Sequence, residues 1–396
     1  PVDRPLPPPA YGHPGLTMRV LLYADFRSPH AQGWRAGLES AGVEVLGVSS
    51  EPVDDGISLN PSGGLSAARQ RYVETRTTKT GLATVVARRA SELQFVHSVV
   101  QVSRSASRQA DVRAAVERFK PELLHGLRLP YEGITALAAN ASVPTVVSSW
   151  GQDFVPQASS DPLLRHWLRK YLPAAAGFHY DSTTDLDRAL RYGVRSDVPT
   201  LHAAGNFGVD ESMFHPRDAK VPGLVSYVRK ATPTCNYFGF IEAALRLIRT
   251  TDATFVGVGL ARLEDEVTRR FGVYDHSRLR LIGELGGDDF AQLVRTSQVV
   301  VSPSYSDGMP VSILGAIASG AHIVAGDLPQ FRELTARGVD MHLIDPSQTD
   351  AIERGIASQL SAPLLGTDSD LPKEHSRARN CTRVVDFYDT VLGRAT

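Results

Sequence analysis

Cysteine, lysine and tryptophan are all scarce in this chain of 396 residues, which has 2 Cys, 6 Lys and 3 Trp. Cys235 and Cys381 cannot build a disulfide framework or a Cys-rich metal site. Two isolated thiols suit a reducing compartment, so a cytoplasmic location is expected. Net charge is nearly absent as well. Lys and Arg number 42 against 43 Asp and Glu, a formal total of −1, whereas a general nucleic-acid binder carries a basic excess. Long apolar runs are missing too. The longest uncharged windows, 133–152 and 308–326, are interrupted by Asn140 and Pro144 and by Pro310, Gly315, Gly320 and His322. A membrane helix needs about 20 predominantly apolar residues. The first residues lack the apolar stretch of a signal peptide and are rich in proline up to Met18, so 1–17 is expected to be a disordered lead. The sequence has no HExxH, no Cys-x-x-C, no clustered acidic metal motif, no Gly-x-Ser-x-Gly elbow and no Walker loop. No catalytic metal and no cofactor are expected.

What is present is a strand–helix–strand rhythm. Arg19–Ala24 is a short apolar run, 31–41 is helix-like, and a second strand follows Gly42 at 43–48. Such a unit implies parallel strands. It returns with strands at 123–125 and 144–148 around a helix at 134–139, and another helix spans 182–192. A looser, Gly- and Pro-containing stretch over 203–222 reads as an interdomain connection. A second series then carries strands at 223–228, 253–258, 280–282, 298–302, 321–325 and 341–344. The reading is two doubly wound α/β domains facing across a cleft, with ligands beyond the C-terminal strand ends. The boundaries are 18–203 for an N-terminal domain and 204–375 for a C-terminal domain. The amphipathic helix in 376–396 is expected to pack back on the N-terminal domain.

The most informative stretch is Val299 to Glu333. A buried strand runs into a polar turn, Pro310 opens a helix, and Gly320 closes it. This places the backbone amides of Gly308, Met309, Val311 and Ser312 at a helix N-terminus, which favours anions and hydroxyl-rich ligands. Asp307 in the turn has two readings. It accepts hydrogen bonds from a ligand, or it caps an ordinary strand-to-helix turn.

Pro303-Ser304, Asp307-Gly308-Met309-Pro310, Leu314, Ala316, Ala318-Ser319-Gly320, Ile323-Val324-Ala325, Asp327 and Glu333 together resemble the donor-binding segment of family 4 retaining glycosyltransferases, enzymes of GT-B fold. Further matches run in the same order: Gly208-Val209-Asp210 with Phe214 and Pro216, Phe255–Gly259, Leu281-Ile282-Gly283 with 289–296, and, on the acceptor side, Ser28-Pro29-His30 and Trp150-Gly151-Gln152-Asp153. The resemblance implies a metal-independent enzyme that moves a sugar from a nucleotide-diphospho-sugar, with UDP or GDP as the carrier, to an acceptor such as a small molecule or natural product. It implies that Asp307 contacts the sugar hydroxyls beside the 308–312 amides. Arg229, with Lys230 next to it, meets the donor diphosphate, and Gly283 and Glu284 line the nucleotide. Three positions depart from the family pattern. Gly315 stands where a Glu holds the ribose, Thr234 and Cys235 stand where a Lys is usual, and Trp150 replaces a His. These departures keep two alternatives open: a degenerate GT-B protein that binds without transfer, and a nucleotide-sugar epimerase on the same fold.

His30 and His125 both follow predicted strands of the first domain and are expected to face the cleft, as catalytic groups or as structural histidines. Asp153 either bonds an acceptor or caps a turn. From Arg69 to Lys120, eleven basic residues face four acidic ones, an excess of seven. That segment fits either contact with an anionic membrane surface or a solvated helix face.

Overall fold

The computed structural model describes residues 18–51, 94–129, 131–150, 154, 162–365 and 371–394. The lead at 1–17, the acceptor-side residues Gly151, Gln152 and Asp153, and the basic residues from Arg69 to Arg89 lie outside the described residues.

The first sheet has six parallel strands in the order β2-β1-β3-β4-β5-β6. These are β1 (Arg19–Ala24), β2 (Glu44–Ser49), β3 (Leu123–Gly126), β4 (Thr145–Ser149), β5 (Gly177–Tyr180) and β6 (Thr200–His202). β1 is apolar along nearly its whole length because helices cover both faces of a central parallel strand. Among the described helices are α1 (Pro29–Ser40), α2 (Gln94–Phe119), α3 (Glu132–Ala139), α4 (Pro162–Tyr171) and α5 (Thr183–Arg191). Ser28 caps α1 by accepting the His30 amide at 3.3 Å, with Pro29 in the first turn. Gly42, at φ 82°, lets the chain reverse into β2.

The second sheet runs β12-β11-β10-β7-β8-β9, again parallel. Its strands are β7 (Val221–Tyr227), β8 (Thr254–Val258), β9 (Leu279–Ile282), β10 (Ser297–Ser302), β11 (His322–Gly326) and β12 (His342–Ile344). The helices between them are α6 (Tyr237–Leu247), α7 (Glu264–Phe271), α8 (Gly287–Thr296), α9 (Val311–Ala318), α10 (Pro329–Ala336) and α11 (Thr349–Ser361). The six strands expected after 220 are all present. In the first sheet β5 and β6 went unread, because Gly177–Tyr180 and Thr200–His202 hold no two adjacent aliphatic residues, as the equally short β3, β9 and β12 do.

The last helix, α12 (Arg377–Val391), returns to the first domain and packs against α1. Val384, Phe387 and Tyr388 join Val20, Leu22, Trp34, Leu38 and Phe207 in one buried cluster. Each such side chain contributes about 1.5–3 kcal/mol on burial. Two chain crossings therefore join the domains, and they lie side by side. Val209 bridges Ser376, its amide donates to the His375 carbonyl at 2.7 Å, and the Arg377 amide donates to the Val209 carbonyl at 2.9 Å.

A second contact between domains forms at α10. Glu333 accepts from the Thr183 amide at 3.2 Å and from its hydroxyl at 2.7 Å, capping α5 from the other domain. Among the described residues, no helix is long and apolar enough to cross a membrane. On α2 part of the basic excess turns inward: Arg104 pairs with Glu51 at 2.6 Å, Arg113 donates to the Ala139 carbonyl, and Arg108 is buried.

Candidate active site

Strand order locates the crevice in each sheet. In the second, the chain passes β7, β8 and β9 on one side and then crosses to β10 on the other side of β7. The reversal opens a crevice at the C-terminal ends of β7 and β10. Arg229 follows β7 and Asp307 follows β10, so parallel pairing of neighbours brings them together. They form an ion pair, and Arg229 Nη1 donates to Ser312 Oγ at 3.2 Å. The Nε–H of Arg229 is buried with no acceptor in the protein. An orphaned, charged donor of this kind is costly unless something binds it.

Asp307 is nine-tenths buried. Burial pushes its carboxyl above the ordinary aspartate value, against the pull of Arg229 and of the Gly308 amide, which it accepts at 2.9 Å. Asp307 is not the N-cap of α9, a place that Pro310 takes, but it braces its own turn through the Gly308 amide and pairs with Arg229. The Gly308 amide is thus engaged by Asp307, while Val311 and Ser312 open α9 and lie among its first amides, which have no acceptor within the helix. Pro310 sits one position earlier than expected, as the N-cap with ψ 122°. Met309 turns its side chain into the core. Gln330 on α10 was not singled out from the sequence, yet it holds the turn by donating to the carbonyls of Asp307 and Gly308 at 2.9 and 2.8 Å. Gly326 lets the end of β11 approach the Ser304 carbonyl so closely that any Cβ there would collide with it.

Two of the family departures have physical causes on view. Gly315 lies inside α9, where a Cβ would come within 2.8 Å of the Phe214 ring, so the phenyl group fills the space. Cys235 is buried beneath Tyr227, in a short 3₁₀ turn tied to the turn after β10 by the Tyr305 amide, which donates to the Thr234 carbonyl at 2.8 Å. Gly283 and Glu284 leave β9 beside Gly259, whose amide donates to the Gly283 carbonyl at 3.2 Å.

The first sheet has its own reversal between β1 and β3. His30 at the start of α1 and Arg128 after β3 lie there. His30 is depressed to about 4 by burial first, then by the charges of Lys230, Arg128 and Arg229. Cations of both domains thus act on one imidazole, which means that the two crevices confront each other. The Nδ1 of His30 is buried without a hydrogen-bond partner, and the ring tilts against Trp150 at 5.2 Å between centroids. Arg128 holds φ 78°, a left-handed conformation unusual for arginine. Its signal in the sequence was its place directly after a strand, the same cue that marked Arg229.

His125 does not face the cleft. It lies within β3 and is fully buried, with Trp34 edge-on at 5.0 Å. Its Nδ1 meets the Tyr388 hydroxyl at 2.6 Å and its Nε2 meets Ser148 Oγ at 2.7 Å, while Ser148 also meets His179 Nδ1 at 2.9 Å. His179 Nε2 must donate to the Ala203 carbonyl at 3.0 Å, which fixes the direction of the whole relay back to Tyr388. Alternation along the strand turns His125 toward α1 and α12, away from the strand end. Its role is structural.

Comparison with known proteins agrees with this architecture. The description "Glycosyl transferase 4-like domain" matches residues 12–204, and "Glycosyl transferases group 1" matches 225–362. The lipopolysaccharide core biosynthesis mannosyltransferase LpcC of Rhizobium leguminosarum bv. viciae is 26% identical over 270 residues, covering 58% of this chain and 75% of its own length. Among solved structures, sucrose-phosphate synthase from Thermosynechococcus elongatus superposes with TM-score 0.65 at 12% identity, over 95% of this chain and 97% of that one. A glycosyltransferase from Rickettsia africae gives 0.67 at 12%, over 96% and 100%. Anabaena HepE in complex with UDP and glucose gives 0.57 at 14%, over 95% and 98%. With two glycosyltransferase domains in tandem on a GT-B fold, this chain is a glycosyltransferase of the family 4-like type.

Proposed function

We propose that the chain transfers a sugar, with retention and without a metal, from a nucleoside-diphosphate sugar to an acceptor hydroxyl held by the N-terminal domain. The observation that carries this reading is the orphaned Nε–H of Arg229, buried at one crevice, with Arg128 of the other domain acting with Arg229 and Lys230 on the same His30 ring. A diphosphate suits such a place. Guanidinium forks bind phosphate oxygens and stabilise the charge that develops on a leaving phosphate. Arg229, Lys230 and Arg128 supply the positive charge that a divalent cation would otherwise bring. The HepE structure with UDP and glucose supports a uridine carrier, and guanosine is the other candidate.

In this mechanism the arriving diphosphate competes with Asp307 for Arg229. Asp307 is then released to accept from hydroxyls of the transferred sugar, which fixes the ring against the leaving group. The acceptor hydroxyl attacks the anomeric carbon on the face the phosphate leaves, the C–O bond to phosphate breaks, and the phosphate oxygen takes the acceptor proton. His30 remains neutral near pH 7 and directs its unpartnered Nδ1 toward the reacting groups. The acceptor we favour is a small cytoplasmic metabolite or natural product.

A panel of UDP-, GDP-, ADP- and dTDP-sugars in thermal unfolding tests this. One donor should stabilise the chain and then yield free nucleoside diphosphate in the presence of acceptors. No response to any donor would overturn the reading. The packing of Phe214 over Gly315 favours a second reading, a degenerate binding protein. That reading would be supported by donor stabilisation with no diphosphate release.

A further inference from the structure

One short helix grips both the turn that carries Asp307 and the opposite domain. α10 is eight residues long and is seated in the second domain by Phe331 and Leu334, which lie in its buried core. Gln330, also buried, uses both protons of its amide nitrogen on the carbonyls of Asp307 and Gly308. Glu333 follows three residues later, on the same side of the helix and about 4.5 Å further along its axis. Its Oε2 takes the amide and the hydroxyl of Thr183 in the first domain, and its Oε1 accepts from Arg337 Nη2 at 2.8 Å. A single carboxylate is thus held from both domains.

The first domain leaves a helix end open for this contact. Ser182 stands at the N-cap of α5, where a serine hydroxyl ordinarily accepts from the first amides of its own helix, yet its side chain makes no such bond. Glu333 supplies the cap instead. Two turns of helix, anchored by two core side chains, move as one piece. Any shift of α5 against the second sheet therefore pulls on Glu333, and through α10 on the two carbonyls that Gln330 holds.

We infer that Thr183 and Glu333 are positioning residues for Asp307: the seating of the first domain on α10 sets the turn that aims this carboxylate into the crevice. The assignment takes the role of Asp307 from the transfer reading above. Nearness along a helix is not by itself coupling, so the test is a double-mutant cycle.

Hydrogen exchange is followed by mass spectrometry, without ligand, in the full chain as wild type, Thr183→Val, Thr183→Ser, Gln330→Ala and the combined Thr183→Val, Gln330→Ala protein. Valine keeps the size and the amide of Thr183 and deletes the hydroxyl bond to Glu333. Exchange across 305–309 should quicken about threefold in Thr183→Val, as expected for linked residues, and return to the wild-type rate in Thr183→Ser. Gln330→Ala should quicken it as well, and adding Thr183→Val to that change should have no further effect. A wild-type rate in Thr183→Val, effects of the two changes that simply multiply, or equal quickening across β7 overturns the inference. Turnover gives the second readout. With the donor that the thermal panel selects, kcat should fall about threefold in Thr183→Val and recover in Thr183→Ser, and an unchanged kcat would end the positioning role. If the panel selects no donor, the transfer reading falls, while the exchange cycle still decides the linkage.

Discussion

Acidification should unfold this protein through histidines that the fold keeps neutral. His179 is held at about 3, chiefly by burial, whereas an unfolded histidine titrates near 6.5. Between those values the unfolded chain binds a proton that the native chain refuses, so stability falls as pH falls, by about 1.4 kcal/mol per unit. At about pH 5 the loss from His179 is about 2 kcal/mol. His375, also held at about 3 by burial and by neighbouring cations, adds a similar amount, giving about 4 kcal/mol against the roughly 5–15 kcal/mol of a typical domain. Glu132 and Asp307 act in the opposite sense, since burial raises both and each gains stability as it protonates. The decisive measurement is therefore a comparison between proteins. Urea unfolding of the wild type and of His179→Gln is followed from about pH 7 to about pH 5. The variant should start less stable, because Ser148 and the Ala203 carbonyl lose their partner. Its pH dependence should then be shallower by about 2 kcal/mol across that window. Parallel losses in the two proteins would refute the reasoning.

Three further outcomes follow from the site and its supports. Asp307→Ala should lower kcat/KM for transfer about 10²–10³-fold and also lower the unfolding midpoint, because Arg229 loses its ion partner and the Gly308 amide its acceptor, while circular dichroism shows the fold intact; unchanged turnover would remove Asp307 from the site. Gly326→Ala forces the Ser304 carbonyl and its loop to move, which should cost about 1–3 kcal/mol and reduce diphosphate release; an unshifted urea midpoint would show that the loop yields freely. Glu333→Ala uncaps α5 across the domain contact at a cost of about 0.5–2 kcal/mol. Hydrogen exchange at Thr183 to Leu186 should quicken, and wild-type rates there would mean that the contact is incidental.

How much of this was legible beforehand depended on where each residue's signal resides. Arg229 and Asp307 were each singled out through the resemblance, but their ion pair was not read, because it follows from the neighbouring parallel order of β7 and β10. Strands β5 and β6 were not legible, because Gly177–Tyr180 and Thr200–His202 hold no pair of adjacent aliphatic residues to mark a buried strand. His125 was misjudged for another reason. A histidine near the end of a strand can face the cleft or the core, and which one occurs depends on Tyr388, 263 residues away. Summed charge likewise overlooked the inward turn of Arg104 and Arg113, since pairing belongs to tertiary structure. Gln330 carries no local mark of function, and Arg128 only its place directly after a strand. Arg128 acts through strand order and Gln330 through its reach to a turn 22 and 23 residues earlier.

The return of α12 to the first domain has a consequence for biosynthesis. A ribosome releases residues 18–203 well before Val384, Phe387 and Tyr388 exist, yet those three complete the core of that domain. The second domain can close on itself as it emerges, because its strands run continuously from 221 to 344. The N-terminal domain must wait, with part of its apolar interior uncovered, until residues 384–388 leave the tunnel. The order of maturation is thus the reverse of the order of synthesis. Cleavage near residue 371 would strand a mature C-terminal domain beside an N-terminal domain that lacks one wall.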